Sequence, residues 1–497
     1  MDRITPNLLI ASILNLAFLF SLNAQNVLLQ GILTDASSGE PLIGATIQSG
    51  GKGAITSYDG SFELSLEPGE RKVLFSYIGY QPFTKTYRLN AGEVREIKIQ
   101  LSIEATLLQT ATVTSGKHEK PLGEVTVSLD ILKPRLIEAI NSTSVSGALD
   151  KVPGVTMIDG QANIRGGSGW SYGAGSRVLL LVDDIPALQA DAGRPNWSDL
   201  PIESIDQIEV VKGASSALYG SSAMNGIINL RTAYAKSDPE TKIATFYTSF
   251  LDPKDKAKVW YDKQPFDTGL SLSHKQKFDK LDVVFSAFGK VNEGFRENNS
   301  SRYGRVTTNL RYRITDRLAV GVNANFNKRN STNYFYWKDW GADALRGNET
   351  SFSNSKPTRF YIDPFIHYFD DKGNRHKLLS RAFYIDNNND GGQSNTSQLY
   401  YGEYQYQKKI EEAELVMTGG IVGMRSSIQA EIYGDTTYTT SNLAGYVQVD
   451  KKLFDILNLS AGARYERNVI NSPEVVLGDT IPDGRSVEAK PVFRLGA

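Results

Sequence analysis

The 497-residue sequence has no cysteine and only four histidines. The first absence excludes structural disulfides, cysteine-ligated zinc and thiol catalysis, and is compatible with an exported chain that needs no oxidative folding. His118, His274, His367 and His376 are scattered, and none opens an H-x-x-E or H-E-x-x-H zinc pattern. No resident metal or other cofactor is expected, and no enzymatic site. An excess of charge of one sign is also lacking: 54 Lys and Arg stand against 55 Asp and Glu, so nothing points to a nucleic-acid partner. Only one long apolar run exists, Leu8 to Leu22, behind Arg3 and ahead of polar Asn23 to Asn26. It has the layout of a secretory signal over residues 1–24, cut near Ala24; the other reading is an uncleaved anchor, although the run is shorter than the ~20 residues of a spanning helix. The rest of the chain is therefore expected either to be soluble or to enter a membrane as β-strands.

What is present is mainly β. A hydrophobic content of 40% is enough for folded domains. Over residues 28–102 short strand-like runs such as Ala45-Thr46-Ile47, Phe62-Glu63-Leu64 and Val73 to Tyr77 are punctuated by Ser38-Gly39, Asp59-Gly60 and Pro68-Gly69. Turn signals at this spacing predict an all-β sandwich. Gly39 to Ala45, Asp59-Gly60-Ser61-Phe62 and Tyr77-Ile78-Gly79-Tyr80 make the segment resemble the carboxypeptidase-regulatory-like domain.

Residues 124–235 carry the most specific pattern. Val152-Pro153-Gly154-Val155, Asn163-Ile164-Arg165-Gly166-Gly167, Val178 to Pro186, Ile208 to Gly213, Ala217-Leu218-Tyr219-Gly220-Ser221 and Asn225 to Leu230 follow in that order. Together they resemble the α+β plug of TonB-dependent outer-membrane receptors. The two apolar runs read as buried strands, and Gly213 and Gly220 bracket a tight turn or short helix. Asp184 stands where that family usually has glycine, which implies a changed turn within the same fold. Arg165, Glu209 and Lys212 lie in apolar strand contexts, either lining a ligand path or paired structurally. Gly169-Trp170-Ser171-Tyr172-Gly173 fits G-x-S-x-G, but it lies in a Gly/Ser-rich loop without the strand and helix that a nucleophile elbow needs.

Just ahead of this domain, residues 105–117 include Thr110-Ala111-Thr112-Val113-Thr114. The stretch resembles a TonB box, although family members often carry an acidic residue at the position of Thr110. A mobile, β-prone segment of this kind can add as a strand to a partner's sheet edge and transmit a pull.

From residue 242 to 497 apolar and polar residues alternate. Leu318, Val320, Val322, Ala324 and Phe326 share one face, with Arg317, Gly321, Asn323, Asn325 and Asn327 on the other; Leu457 to Glu466 repeats the pattern. Short turns are expected at Phe278 to Lys280, Thr315-Asp316, Asp370 to Asn374, Ile410 to Ala413 and Phe454 to Ile456. Long loops are expected over 251–267, 293–301, 330–356, 387–398, 429–440 and 470–487. That alternation is the pattern of an outer-membrane antiparallel barrel. The third long loop carries Tyr334, Tyr336, Trp337 and Trp340, which read as ligand contacts or as an interfacial aromatic girdle.

The resemblance implies outer-membrane import of a small scarce ligand, powered through the TonB-ExbB-ExbD complex. SusC-type glycan importers share the architecture, but usually have aspartate at the position of Gly213 and Arg-Ala-Ala-Asn in place of Ser222 to Asn225. Those departures favour a metal chelate, a ferric siderophore or cobalamin; reception without transport is the remaining alternative. About twelve strands are expected, the last over Val492 to Ala497. A closed wall of twelve would be about 24 Å across and one of 22 about 44 Å, against a plug of about 36 Å. The C-terminal part of the barrel is therefore expected to be missing, with further strands beyond Ala497.

Overall fold

The computed structural model describes residues 26–36, 39–77, 80–102, 112–113, 116–118, 120–121, 124–140, 142–167, 176–235, 238–410, 413–454, 456–476 and 479–497. The signal-like run and the G-x-S-x-G segment lie outside the described residues, as do Thr110, Ala111 and Thr114. The chain divides into two compact units, Met1–Gln109 and Thr110–Ala497.

The first unit is a sandwich of seven strands. One sheet pairs β1 (Val27–Asp35) with β4 (Ser61–Leu66) on one side and, in parallel, with β7 (Val94–Leu101) on the other; the second runs in the order β3 (Lys52–Ile55), β2 (Thr46–Ser49), β5 (Gly69–Ser76), β6 (Phe83–Leu89). Alternation decides the faces: along β4, Phe62, Leu64 and Leu66 are buried and Glu63 and Ser65 exposed, joining Leu29, Ile47, Val73 and Phe75 in one apolar core.

The second unit starts with a two-strand ladder, β8 (Thr112–Val113) on β9 (Lys120–Pro121). A five-stranded sheet follows, in the order β10 (Ser128–Leu132), β15 (Ile205–Lys212), β16 (Gly226–Thr232), β13 (Val178–Val182), β14 (Ile185–Pro186). Helices α1 (Pro134–Ala139) and α2 (Val145–Leu149) and the hairpin β11 (Val155–Ile158) to β12 (Gln161–Ile164) pack beside it, around Leu149, Ile164, Leu180, Ile208 and Ile228. α3 (Ser216–Tyr219) sits between Gly213 and Gly220, both with positive φ, so the glycine-bracketed stretch is a single helical turn.

Twelve antiparallel strands form the remaining sheet: β17 (Glu240–Ser249), β18 (Phe266–Phe278), β19 (Leu281–Asn292), β20 (Ser301–Thr315), β21 (Leu318–Tyr334), β22 (Phe352–Phe369), β23 (Arg375–Asn389), β24 (Asn395–Ile410), β25 (Leu415–Ala430), β26 (Thr437–Leu453), β27 (Leu457–Asn471) and, after the small pair β28 (Val475–Val476) and β29 (Asp479–Thr480), β30 (Arg485–Gly496). Every strand pairs with the one before it in this order, and β17 and β30 are the two edges. Among the described residues no helix is long and apolar enough to cross a membrane.

The five short turns fall where the sequence places them. The loops at the other end are shorter than expected. The third spans 335–351 and not 330–356, the fourth 390–394 and not 387–398, the fifth 431–436 and the sixth 472–484. Polar strand ends such as Asn330 to Asn333 and Asn395 to Ser397 stay in the ladder, so polarity alone mistook strand for loop. For the same reason the last strand begins at Arg485, well before Val492.

The wall is apolar outside; its inner face is polar over β20 and β21, while along β22 to β25 Phe365, Leu379, Phe383, Leu399 and Val422 join Ile185 and Leu218 of the plug in an apolar cluster. Along β21 Asn323, Asn325 and Asn327 are buried against the plug while Phe326 is 45% exposed; along β25 and β26 Ile421 and Leu443 are 62% and 60% exposed. A wall with this sidedness suits lipid outside and a plugged lumen within.

Candidate functional site

Where the plug meets the loop-side end of the wall, a cavity of about 780 Å³ opens between plug residues 189–200 and the ends of β19 to β24. Among the described residues five basic side chains line it, Arg194, Lys290, Arg305, Arg329 and Arg359, against one acid, Asp191. Most of the remaining lining is amide and hydroxyl, with Trp197 and Tyr303 among it. The plug loop is stapled to the wall here. Arg305 donates to Ser198 O and to Glu203 Oε2, both at 2.6 Å, while Asn327 Nδ2 reaches Ser198 O at 2.8 Å and Asn325 Nδ2 reaches Asp199 O at 3.0 Å. Arg359 donates to Asn387 Oδ1 at 2.9 Å and lies 3.5 Å from Asp199 Oδ1. Burial pushes the Asp199 carboxyl up, opposed by the nearby Arg359 and Arg305 guanidinium groups.

Deeper in, Asp183 and Asp184 form the two-residue turn from β13 to β14, with φ of 50° and 72°. Such a turn has the type I′ geometry that glycine usually serves, and a side chain there costs roughly 1–2 kcal/mol. Here the second carboxylate is used: Asp184 Oδ1 accepts from Arg231 Nη2 at 2.6 Å and from Asn229 Nδ2 at 3.0 Å. Burial opposes its ionisation, but Arg231 carries the carboxyl well below the usual carboxylate range. Asp183 Oδ2 accepts from Thr232 Oγ1 at 2.6 Å and from Asn323 of the wall at 3.2 Å, while Arg381, bonded to Asp363, donates to Pro186 O at 2.6 Å. So the turn keeps a glycine-like backbone with a carboxylate added, and it is tied to the wall on both sides.

At the opposite end, near the short turns, residues 116–118 between β8 and β9 are buried. Lys117 forms an ion pair with Glu403, both side chains almost fully enclosed, and its ammonium lies 4.9 Å and 4.5 Å from the ring centres of Tyr219 and Tyr446. Glu403 also accepts from Tyr401 and Tyr446, each at 2.5 Å, and Gln405 Nε2 donates to Lys117 O at 2.8 Å. Lys120 meets Asp450 at 3.2 Å, and Lys452 meets Glu124 at 3.2 Å. Burial, reinforced by Lys120, pushes His118 down to about 4, so it is neutral near pH 7.

The plug residues singled out from sequence divide between these places. Glu209 is fully buried, accepts from Gln207 Nε2 at 2.7 Å and forms an ion pair with Arg231 at 3.5 Å; Lys212 donates to Pro153 O at 2.6 Å and pairs with Asp130. Both contacts stay inside the plug. Arg165 is exposed, at φ 54°, beside Gly166 at φ 66°. Tyr219 packs under Lys117, and a Cβ on Gly220 would stand 2.9 Å from Glu466 Oε2, so this glycine admits the wall. Of the four loop aromatics, Tyr334 is buried under Arg296 while Tyr336, Trp337 and Trp340 are exposed, and none lines the cavity. Sequence reasoning missed Arg305, Arg329, Arg359, Lys117 and Glu403. For the three arginines the available signal was parity: each shares the inward face of its strand with Asn309, Asn327 or Asp363.

The chain matches the model of the TonB-dependent receptor plug domain over residues 121–227 and that of the CarboxypepD_reg-like domain over 29–129. It is 26% identical over 386 residues to the TonB-dependent receptor SusC of Bacteroides thetaiotaomicron, covering 68% of this chain and 37% of that protein. Over 131 residues it is 34% identical to the vitamin B12 transporter BtuB of Vibrio vulnificus, covering 26% of this chain and 21% of that one. The chain thus spans well under half the length of either relative. Among solved structures it resembles the unliganded ferric citrate transporter FecA, with a TM-score of 0.59, 14% identity and coverage of 75% of this chain and 60% of that one. It also resembles the siderophore receptor PirA of Pseudomonas aeruginosa, with a TM-score of 0.54, 16% identity and coverage of 69% and 58%. At those identities the structural likeness establishes the fold.

Proposed function

We propose that the chain, which carries the plug domain of TonB-dependent receptors, takes part at the outer membrane in active import of a small scarce ligand, a metal chelate. The observation that carries the reading is the plug's engagement at two ends. Its loop 189–200 bounds the cavity at the loop side, and the segment around Thr112 is tethered through Lys117 and Glu403 at the turn side. In this reading ligand in the cavity shifts loop 189–200 against Arg305 and Arg359. The shift passes through the plug sheet to Tyr219 and loosens the Lys117 contact. The freed segment then adds as a strand to a TonB-like partner, whose ExbB-ExbD complex supplies the pull. Transport also needs a closed wall, and among the described residues the sheet has two edges, β17 and β30.

Strand addition depends on main-chain donors, so Val113→Pro abolishes uptake while leaving ligand binding at the cell surface intact. Undiminished uptake in that strain would place the grip elsewhere. A second reading, import of a glycan oligomer, is favoured by the length of the SusC match and by the amide-rich cavity lining. Transcription rising on iron or cobalamin depletion supports the chelate; induction by a polysaccharide alone supports the glycan.

A further inference from the structure

The wall supplies three arginines to one cavity from three neighbouring strands: Arg305 from β20, Arg329 from β21 and Arg359 from β22. Two of them are matched by acids of the plug, Arg305 by Glu203 at 2.6 Å and Arg359 by Asp199 at 3.5 Å. Arg329 is different. Among the described residues it makes no hydrogen bond or ion pair, and its Nε is shut off from solvent without a partner. The Nε atoms of Arg305 and Arg359 and one carboxylate oxygen of Asp199 are in the same condition. A half-buried guanidinium beside two others is costly to hold unless something negative completes the set, and among the described residues the nearby acid that acts on it, Asp199, also serves Arg359 and Arg305.

We infer that Arg329, with Arg305 and Arg359 beside it, receives an acidic group of the incoming ligand, so that the cavity selects a carboxylate-bearing, oxygen-rich molecule over a neutral one of similar size. The inference rests on the import reading and narrows its ligand. Planar guanidinium groups match carboxylates through paired hydrogen bonds. Asn389, Asn395 and Gln393 offer donors and acceptors to hydroxyl and carbonyl oxygens around the same space, and Trp197 gives one flat apolar surface. The volume of about 780 Å³ falls in the range of drug-sized ligands, which sets a size limit on what is held there. Burial of Asp199 works in the same direction: a carboxyl pushed up toward its neutral form leaves Arg359 less compensated.

Two sources share this chemistry, a carboxylate metal chelate and a short uronate oligosaccharide. The test titrates the receptor, purified from its own outer membrane, with ferric citrate and trigalacturonate, and with ferrichrome and maltotriose as neutral counterparts, reading calorimetry. One acidic probe binds, its neutral counterpart binds at least about tenfold more weakly, and Arg329→Gln weakens the acidic probe by about tenfold to a hundredfold, the worth of a charge-assisted hydrogen bond. Which acidic probe binds identifies the source. Arg329→Lys keeps most of the affinity, and raising the salt concentration lowers it. Both variants keep wild-type heat-modifiable migration, because removing an unpaired cation breaks no contact. Equal binding of the neutral counterpart, an Arg329→Gln variant with unchanged affinity, or binding of none of the four overturns the inference. The import reading is judged separately by uptake in the Val113→Pro strain, which does not involve Arg329.

Discussion

The sandwich and the twelve-stranded wall follow the same period of two and resolve it in opposite senses. In β4 the apolar set Phe62, Leu64 and Leu66 turns inward and Glu63 is exposed; in β21 the amides Asn323, Asn325 and Asn327 turn inward and Phe326 faces out. Periodicity therefore reports strand, and the solvent on each side decides which face is the interior. In the sandwich stability comes from apolar burial in one core. Within the wall much of the interior is ion pairs and amide bonds that hold a second domain in place.

The largest contrast is expected at Glu403. Glu403→Ala leaves the Lys117 ammonium enclosed without its partner, which costs about 3–5 kcal/mol and is relieved by release of the 112–121 segment. Because the chain has no cysteine, Thr112→Cys is the sole thiol and its labelling by an impermeant maleimide reads that release. Labelling becomes many times faster in the Glu403→Ala background; an unchanged rate would remove the tether from the account.

A smaller effect separates the outer faces. Leu443→Arg, on the outward face of β26, destabilises the wall by about 2–4 kcal/mol if it lies near the bilayer midplane, whereas Val94→Arg on the exposed face of the sandwich changes stability by less than about 0.5 kcal/mol. Urea unfolding in liposomes compares them, and equal effects would erase the distinction drawn between the two outsides.

The smallest concerns pH. His118 is held down to about 4 in place against 6.5 when free, so a released segment binds a proton that the seated one does not. The contribution is complete above about pH 6.5 and is lost as pH falls toward 4, the loss amounting to about 2 kcal/mol at pH 5. Thr112→Cys labelling should accelerate between pH 7 and 5, and the acceleration should vanish in a His118→Asn background.

Much of the architecture was legible because periodicity and turn chemistry are local. Asp316-Arg317 and residues 370–374 break the alternation with polar and glycine residues, and the strands end there. Loop ends were less legible, because Asn330 to Asn333 are as polar in the ladder as they would be outside it. The Asp183-Asp184 turn could be located but not its partner, since Arg231 arrives from β16 across the sheet. The cavity was missed for a related reason. Arg305, Arg329 and Arg359 sit on three strands, each unremarkable in its own neighbourhood, and only registering all three strands on their inward face brings them together. The aromatic loop drew attention because its residues are adjacent in sequence, which says little about what a lumen presents.

The inverted sidedness of the wall is the premise on which the plug, the cavity and the tether all depend. Single cysteines at Val322, Asn323, Ala324, Asn325, Phe326 and Asn327, spin-labelled in the membrane-embedded receptor, test it through collision rates with dissolved oxygen and with a water-soluble nickel chelate. The account predicts high oxygen and low nickel accessibility at 322, 324 and 326, and restricted motion with low oxygen accessibility at 323, 325 and 327. The opposite phase, or high nickel accessibility at the even positions, would mean that Phe326 and its neighbours face water, and would contradict the account.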